Sequence, residues 1–163
     1  MKRLILMRHA KSDWSVGMSD HARPLNPRGR KSAEALGVWL RAQDILPDQV
    51  LCSSAARTRE TLDLLHLGEV ATRFEDRLYL AEPATLLKSL QGAEGNTVLM
   101  LAHNPGIGDF ARGLIARAPG HPGFRTYPTG ATLVADCEIG EWSDARMGSA
   151  LCHAFIVPRE LLS

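Results

Sequence analysis

Three short apolar runs constrain this chain more than anything else in it: Leu4 to Met7, Gln49 to Ser53, and Thr97 to Leu101. Each is too short for a helix and lacks the alternation of a half-exposed strand. Each therefore reads as a strand buried on both faces, the pattern of a parallel sheet covered by helices. Helical spacing fills the stretches between them. Asn26 is a good N-cap, Pro27 fits a first helical position, and Ala33, Leu36, Gly37 and Leu40 then recur on one face. A second helix is expected from Ser53-Ser54 towards Leu65, a third from Glu82-Pro83 through Leu90, and a fourth carrying Ile107, Phe110, Ala111 and Leu114. Val70 to Phe74 and Leu78 to Leu80 read as further short strands, and Ala131 to Ala135 and Ala150 to Val157 as closing ones. The expectation is one α/β domain over residues 1–163, a three-layer α/β/α sandwich with a mixed, mainly parallel central sheet.

The residues that follow the three runs are suited to chemistry. Arg8-His9 ends the first, Ser53-Ser54 leads to Arg57 after the second, and His103-Asn104-Pro105-Gly106 follows the third. Ligands of open α/β sheets bind outside the carboxyl ends of the strands, so neighbouring strands would bring two histidines and two arginines to one anion-binding crevice. One histidine at a strand end is more often structural than catalytic; the conjunction of four such groups reverses that weighting. Arg57 falls in the first turn of its helix, where the dipole disfavours a cation unless an anion is present. Arg59 reads as a surface residue pairing with an acidic neighbour.

The net charge of +1 argues against a dedicated nucleic-acid binder, but the charge is unevenly spread. Residues 1–31 carry Lys2, Arg3, Arg8, Lys11, Arg23, Arg28, Arg30 and Lys31 against only Asp13 and Asp20, a local field able to steer an anionic substrate. Cys52, Cys137 and Cys152 show no metal-ligand spacing and read as reduced thiols of a cytoplasmic protein. The apolar run before Arg8 is too short for a signal-peptide core, and no run of about 18 apolar residues could cross a membrane. The six histidines show no HxxxH spacing and no acidic cluster suggests magnesium, so neither a metal nor another cofactor is expected. The long loops Lys11 to Pro27 and Arg117 to Pro128 are of a length that more often serves function. Trp14, Trp39 and Trp142 either line a partner surface or pack locally.

Leu6-Met7-Arg8-His9-Ala10, Ser53-Ser54-x-x-Arg57-Thr58-x-Glu60-Thr61 and Ala102-His103-Asn104-Pro105-Gly106 resemble, in order and spacing, the three signatures of the histidine phosphatase superfamily. His9-Ala10-Lys11, Arg23-Pro24-Leu25-x-x-x-Gly29 and Asp76-Arg77-Leu78-Tyr79-Leu80 are most similar to its SixA-type phosphohistidine phosphatase branch. The resemblance implies a phosphoglycerate mutase-like fold and a metal-independent phosphatase. It makes His9 the nucleophile that forms a phosphohistidine, and Arg8, Arg57 and His103 the groups that clamp the phosphoryl oxygens. The implied substrate is phosphohistidine on a phosphotransfer protein, with a small phosphate ester as the alternative. A non-catalytic phosphate-binding module is a third reading, and nucleic acid and membrane partners are not expected. His9 must be neutral to attack, whereas His103 would help most as a cation; two nearby arginines should disfavour protonation of His9 and bound phosphate should favour that of His103, so their environments should differ.

Phosphoglycerate mutases and many relatives have Arg-His-Gly-Glu and a phosphate-contacting asparagine six residues after the histidine; here Ala10-Lys11 and Ser15 stand instead. Their glutamate acid corresponds to Leu80. Glu82 is then the nearest candidate acid, its alternative reading an exposed residue before Pro83, and Asp13 is a further candidate. An imidazole leaving group needs little acid help.

Overall fold

The computed structural model describes residues 1–15 and 17–162. In chain order it runs β1 (Lys2–Arg8), α1 (Pro27–Ala42), β2 (Gln49–Ser53), α2 (Ala56–Leu64), β3 (Ala71–Glu75), α3 (Pro83–Gln91), β4 (Thr97–Ala102), α4 (Gly106–Leu114), β5 (Thr132–Cys137) and β6 (Leu151–Ile156). The strands form one sheet in the order β3-β2-β4-β1-β5-β6. The four from β3 to β1 are mutually parallel, with Leu4 opposite Val98 and Val50 opposite Leu99. β5 runs antiparallel to β1, and β6 antiparallel to β5. The sheet is thus mixed and mainly parallel, as expected, and the three apolar runs are its adjacent central strands.

The side-chain period of two sends Leu4 and Leu6 to one face, against Leu86 and Leu90 of α3 and Ile107 and Phe110 of α4. Ile5 and Met7 point to the other face, against Leu36 and Leu40 of α1 and Leu65 just beyond α2. Both faces are covered, which is why these strands read as unbroken apolar runs. Burying each such side chain stabilises the fold by roughly 1.5–3 kcal/mol. Trp142 is part of one face's core and donates its indole N–H to the Gly95 carbonyl at 2.9 Å, while Trp39 is half-buried and Trp14 exposed. Cys52 and Cys137 are buried, Cys152 is half-buried, and all three are free thiols.

Two local features bring α1 onto the segment that leaves β1. The Asn26 side chain caps the helix, accepting the Gly29 N–H at 2.8 Å, with Pro27 at the first position. A Cβ on Gly29 would lie 2.0 Å from the Lys11 carbonyl oxygen, so only glycine lets the first turn approach that closely. Val16 in the loop over residues 11–26 and Ser163 at the end lie outside the described residues; among those described, the loop carries one short helical turn, Asp20–Ala22.

The strand expected over Leu78 to Leu80 is not formed. Asp76–Leu78 is a single tight helical turn closed by the Tyr79 N–H on the Asp76 carbonyl at 3.0 Å, and Leu80 has a φ of 51°. Leu78 is buried beneath α3 and α4, and the left-handed residue then turns the chain away from the sheet, leaving Leu80 half exposed.

Candidate active site

The connectivity places a crevice where the signature residues fall. From β1 the chain crosses through α1 to β2, two places away; β4 later fills the gap, and the chain passes on to β5 on the far side of β1. Such a reversal opens a ligand crevice at the strands' carboxyl ends. His9 follows β1, His103 follows β4, and Arg57 sits in the first turn of α2 after β2. All three are nearly buried, at 5 %, 1 % and 3 % exposure, and the two imidazole centroids are 5.2 Å apart. With Arg8 and Asp20 they line one cavity of about 450 Å³.

The hydrogen bonds decide which nitrogen of His9 is free. Its Nδ1 is 2.7 Å from the Ala10 carbonyl oxygen, which can only accept, so Nδ1 carries the proton. Nε2 keeps its lone pair and meets the Arg57 Nε–H at 3.4 Å. Burial is the main cause, and the charges of Arg8, Arg57 and Arg23 an added one, of a His9 pKa lowered to about 3. This neutral imidazole is a competent nucleophile near pH 7.

Burial acts on His103 in the same direction. That burial, with the neighbouring His9 and Arg57, lowers it to about 3 as well, so both imidazoles are neutral near pH 7, and a cationic His103 would need the charge of a bound phosphate to favour it. Its Nε2 is 2.7 Å from Ser53 Oγ, and its Nδ1 is buried without a hydrogen-bond partner. Arg8 donates from Nη1 to the Tyr127 carbonyl at 3.2 Å, while its Nε is also buried and unpartnered. Among the described residues these are the two buried side-chain atoms of that kind, and both belong to this site. Leaving a buried polar atom unpaired costs about 1–3 kcal/mol, a cost that a phosphoryl oxygen accepting from these groups would remove.

Arg57 is already engaged by an anion. Its Nη1 donates to the Asp20 carbonyl at 2.7 Å and its Nη2 to the Asp20 carboxylate at 3.1 Å. The same carboxylate accepts two hydrogen bonds from Arg23 at 3.1 Å and one from the Tyr79 hydroxyl. The Tyr79 bond first, then the two arginines, hold Asp20 well below the usual carboxylate range. The negative partner that a cation in the first turn of α2 requires is thus built in.

The remaining signature residues are scaffolding. Thr58 Oγ1 donates to the Ser53 carbonyl at 2.7 Å; Thr61 Oγ1 accepts the Ala10 N–H at 3.0 Å and donates to the Arg57 carbonyl at 2.7 Å. Glu60 accepts from the Leu25 N–H at 2.8 Å and from Arg30 at 2.7 Å. Arg59 has no carboxylate partner among the described residues: it donates to the Ser54 carbonyl at 2.9 Å and stacks 4.1 Å over Phe74. Asn104 ties residues 126–127 to α4, donating to both carbonyls at 3.0 Å and accepting the Gly108 N–H at 3.1 Å.

Arg8, His9, Arg57 and His103 are therefore together. Glu82 is exposed at the N-cap of α3 and does not line the cavity, while Leu80 does. Asp13 also lies outside the lining, its carboxylate turned onto the N–H and hydroxyl of Ser15. Sequence reasoning missed Asp20, Tyr79 and Tyr127 as parts of the site. One of only two carboxylates in a basic segment, three residues before Arg23, is the legible hint for the first.

The two depressed imidazoles make stability depend on pH. Each takes up a proton near pH 6.5 when unfolded but only near pH 3 when folded, so stability is full above about 6.5 and is lost as pH falls. Stability should therefore fall progressively as pH drops below the pKa of a free imidazole. Urea unfolding at pH 7, 6 and 5 should show this loss, and His103→Gln should show a shallower one; equal profiles for the two proteins would remove His103 from the explanation.

Comparison with known proteins agrees with the geometry. Residues 4–79 match the model of the histidine phosphatase superfamily (branch 1). An uncharacterized protein of Mycobacterium tuberculosis is 37% identical over 161 residues, covering 94% of this chain and 100% of the relative. A Nakamurella multipartitia protein, provisionally named phosphohistidine phosphatase SixA, superposes with a TM-score of 0.85 at 31% identity, covering 96% of both chains. The protein histidine phosphatase SixA solved with tungstate shares the fold, with a TM-score of 0.76, 23% identity, and 98% and 99% of the two chains covered.

Proposed function

The chain belongs to the histidine phosphatase superfamily, in its SixA type, and is on that footing a phosphatase; from that premise we propose that it hydrolyses phosphohistidine on a protein through a phosphoryl intermediate on His9, within one domain over residues 1–163. His9 Nε2 attacks phosphorus in line. The substrate's P–N bond breaks with its electron pair returning to the leaving imidazole, as the bond from phosphorus to Nε2 forms. Water then attacks phosphorus, the bond to His9 breaks, and inorganic phosphate leaves. Arg8, Arg57 and His103 hold the phosphoryl oxygens while charge redistributes, so positioning and electrostatics carry the reaction. Tungstate, held by one structural relative, is a mimic of that phosphoryl group. The free thiols fit a cytoplasmic setting.

The observation that favours a P–N substrate over an ester is the state of the carboxyl at the site. Asp20 is the one carboxylate among the described residues lining the cavity, and its hydrogen bonds hold it ionised. An alkoxide leaving group needs a proton that Asp20 does not offer, and Glu82 stands outside the lining. A phosphohistidine ring protonated on its second nitrogen departs as neutral imidazole without an acid.

The test is release of phosphate, with chelator present, from a phosphohistidine phosphotransfer domain and from p-nitrophenyl phosphate side by side. The expected result is a clear preference for the protein. Turnover of the ester alone would assign a small-molecule phosphatase, and no turnover by a folded, phosphate-binding protein would assign a binding module.

A further inference from the structure

Beside the cavity that holds His9 lies a second one of about 380 Å³, and the two share Lys11 and Thr129 in their walls. Lys11, Arg28 and Arg159 supply its charges, and no carboxylate among the described residues lines it. All three cations are exposed, and none forms an ion pair with a described carboxylate. Pro128, Val157 and Pro158 give it an apolar floor, which suits an extended segment better than a compact ligand. The groove is therefore a positively charged extension of the site.

At the mouth itself stand two large exposed apolar side chains, Trp14 at 78 % and Leu80 at 52 %. Trp14 is exposed yet held. The Arg23 guanidinium lies 3.5 Å from its ring centroid, and Arg23 is buried and tied to Ser12 at 2.7 Å and to Asp20. Leu80 is turned outward by its left-handed backbone. A fixed exposed aromatic with an aliphatic neighbour is what a protein partner uses as an anchor, because little side-chain freedom is lost when it is covered.

We infer that the groove lined by Lys11, Arg28 and Arg159, joined to the Trp14 and Leu80 mouth, docks the acidic segment that flanks the phosphorylated residue of a protein substrate. The inference rests on the phosphohistidine reading above and names the surface and partner chemistry that go with it. Charge complementarity selects the occupant, since rim cations speed and orient docking of an acidic chain and reject a basic one.

The test uses the full chain, two synthetic phosphohistidine peptides of equal length, one flanked by glutamates and one by lysines, and p-nitrophenyl phosphate as a reporter of the site alone. Wild type should cleave the acidic peptide with a kcat/KM about tenfold above the basic one, through KM and less so at high salt. In Arg28→Glu/Arg159→Glu that preference should vanish or reverse, with ester turnover within about twofold of wild type. A variant that keeps the wild-type preference overturns the inference, and equal loss on all three substrates does so by marking a structural role. Wild-type activity on both peptides without preference overturns the surface alone. Wild-type silence on both peptides with ester turnover intact overturns the phosphohistidine reading and this surface with it.

Discussion

His9→Ala should lower phosphate release from a phosphohistidine protein by at least ~10³-fold, the order expected when a group that forms a covalent intermediate is removed. The loss should fall on kcat, because Arg8, Arg57 and His103 remain to bind the phosphoryl group. The fold should survive, and because the substitution removes an imidazole whose burial is unfavourable in acid, His9→Ala should lose less stability than wild type on going from pH 7 to pH 5. Acid-quench trapping of labelled phosphate supplies the second readout, with label held by wild type and absent from the variant. Turnover that persists within tenfold of wild type would mean that another group accepts the phosphoryl.

Arg57→Ala should cost a further large factor, about 10³-fold in kcat/KM, the lower range for an arginine that meets transferring phosphoryl charge. Here the guanidinium does three things at once: Nε faces His9 Nε2, and Nη1 and Nη2 engage the backbone and carboxylate of Asp20. Arg57→Lys is the sharper experiment. A lysine keeps the charge but has no planar fork, so it cannot meet all three partners, and activity should recover by no more than about tenfold over the alanine variant. Full recovery would show that charge alone matters and that the geometry around Arg57 is incidental. Both variants should be checked for folding by thermal melts, since losing Arg57 leaves Asp20 with only Arg23 and Tyr79.

Which of these features can be read from the amino-acid sequence is a matter of distance along the chain. β1, β2 and β4 are buried on both faces, and a strand with no solvent face has no alternative to an apolar run, so their placement is legible directly. Arg8, His9, Arg57 and His103 lie at or just beyond the ends of those strands, so locating the strands locates the residues. Leu78 to Leu80 misleads because its apolar residues serve different ends: Leu78 is buried under two helices, whereas Leu80 faces solvent after a left-handed turn. Asp20 and Tyr127 are hidden for another reason. Each acts from a long loop, Asp20 across 37 positions to Arg57 and Tyr127 across 119 to Arg8, and no local pattern encodes such a meeting. The similar fates of His9 and His103 are equally unreadable, because burial dominates both and follows only from the completed packing.

The contact between Asp20 and Arg57 holds the guanidinium by two of its three nitrogens, with the third turned to His9. A phosphoryl group at His9 would meet the Nε–H that already faces His9 Nε2, with the carboxylate left in place. Little binding energy would then go into ordering a long side chain. An arginine held in this way behaves as a preset part of the pocket, closer to a fixed backbone donor than to a mobile surface cation.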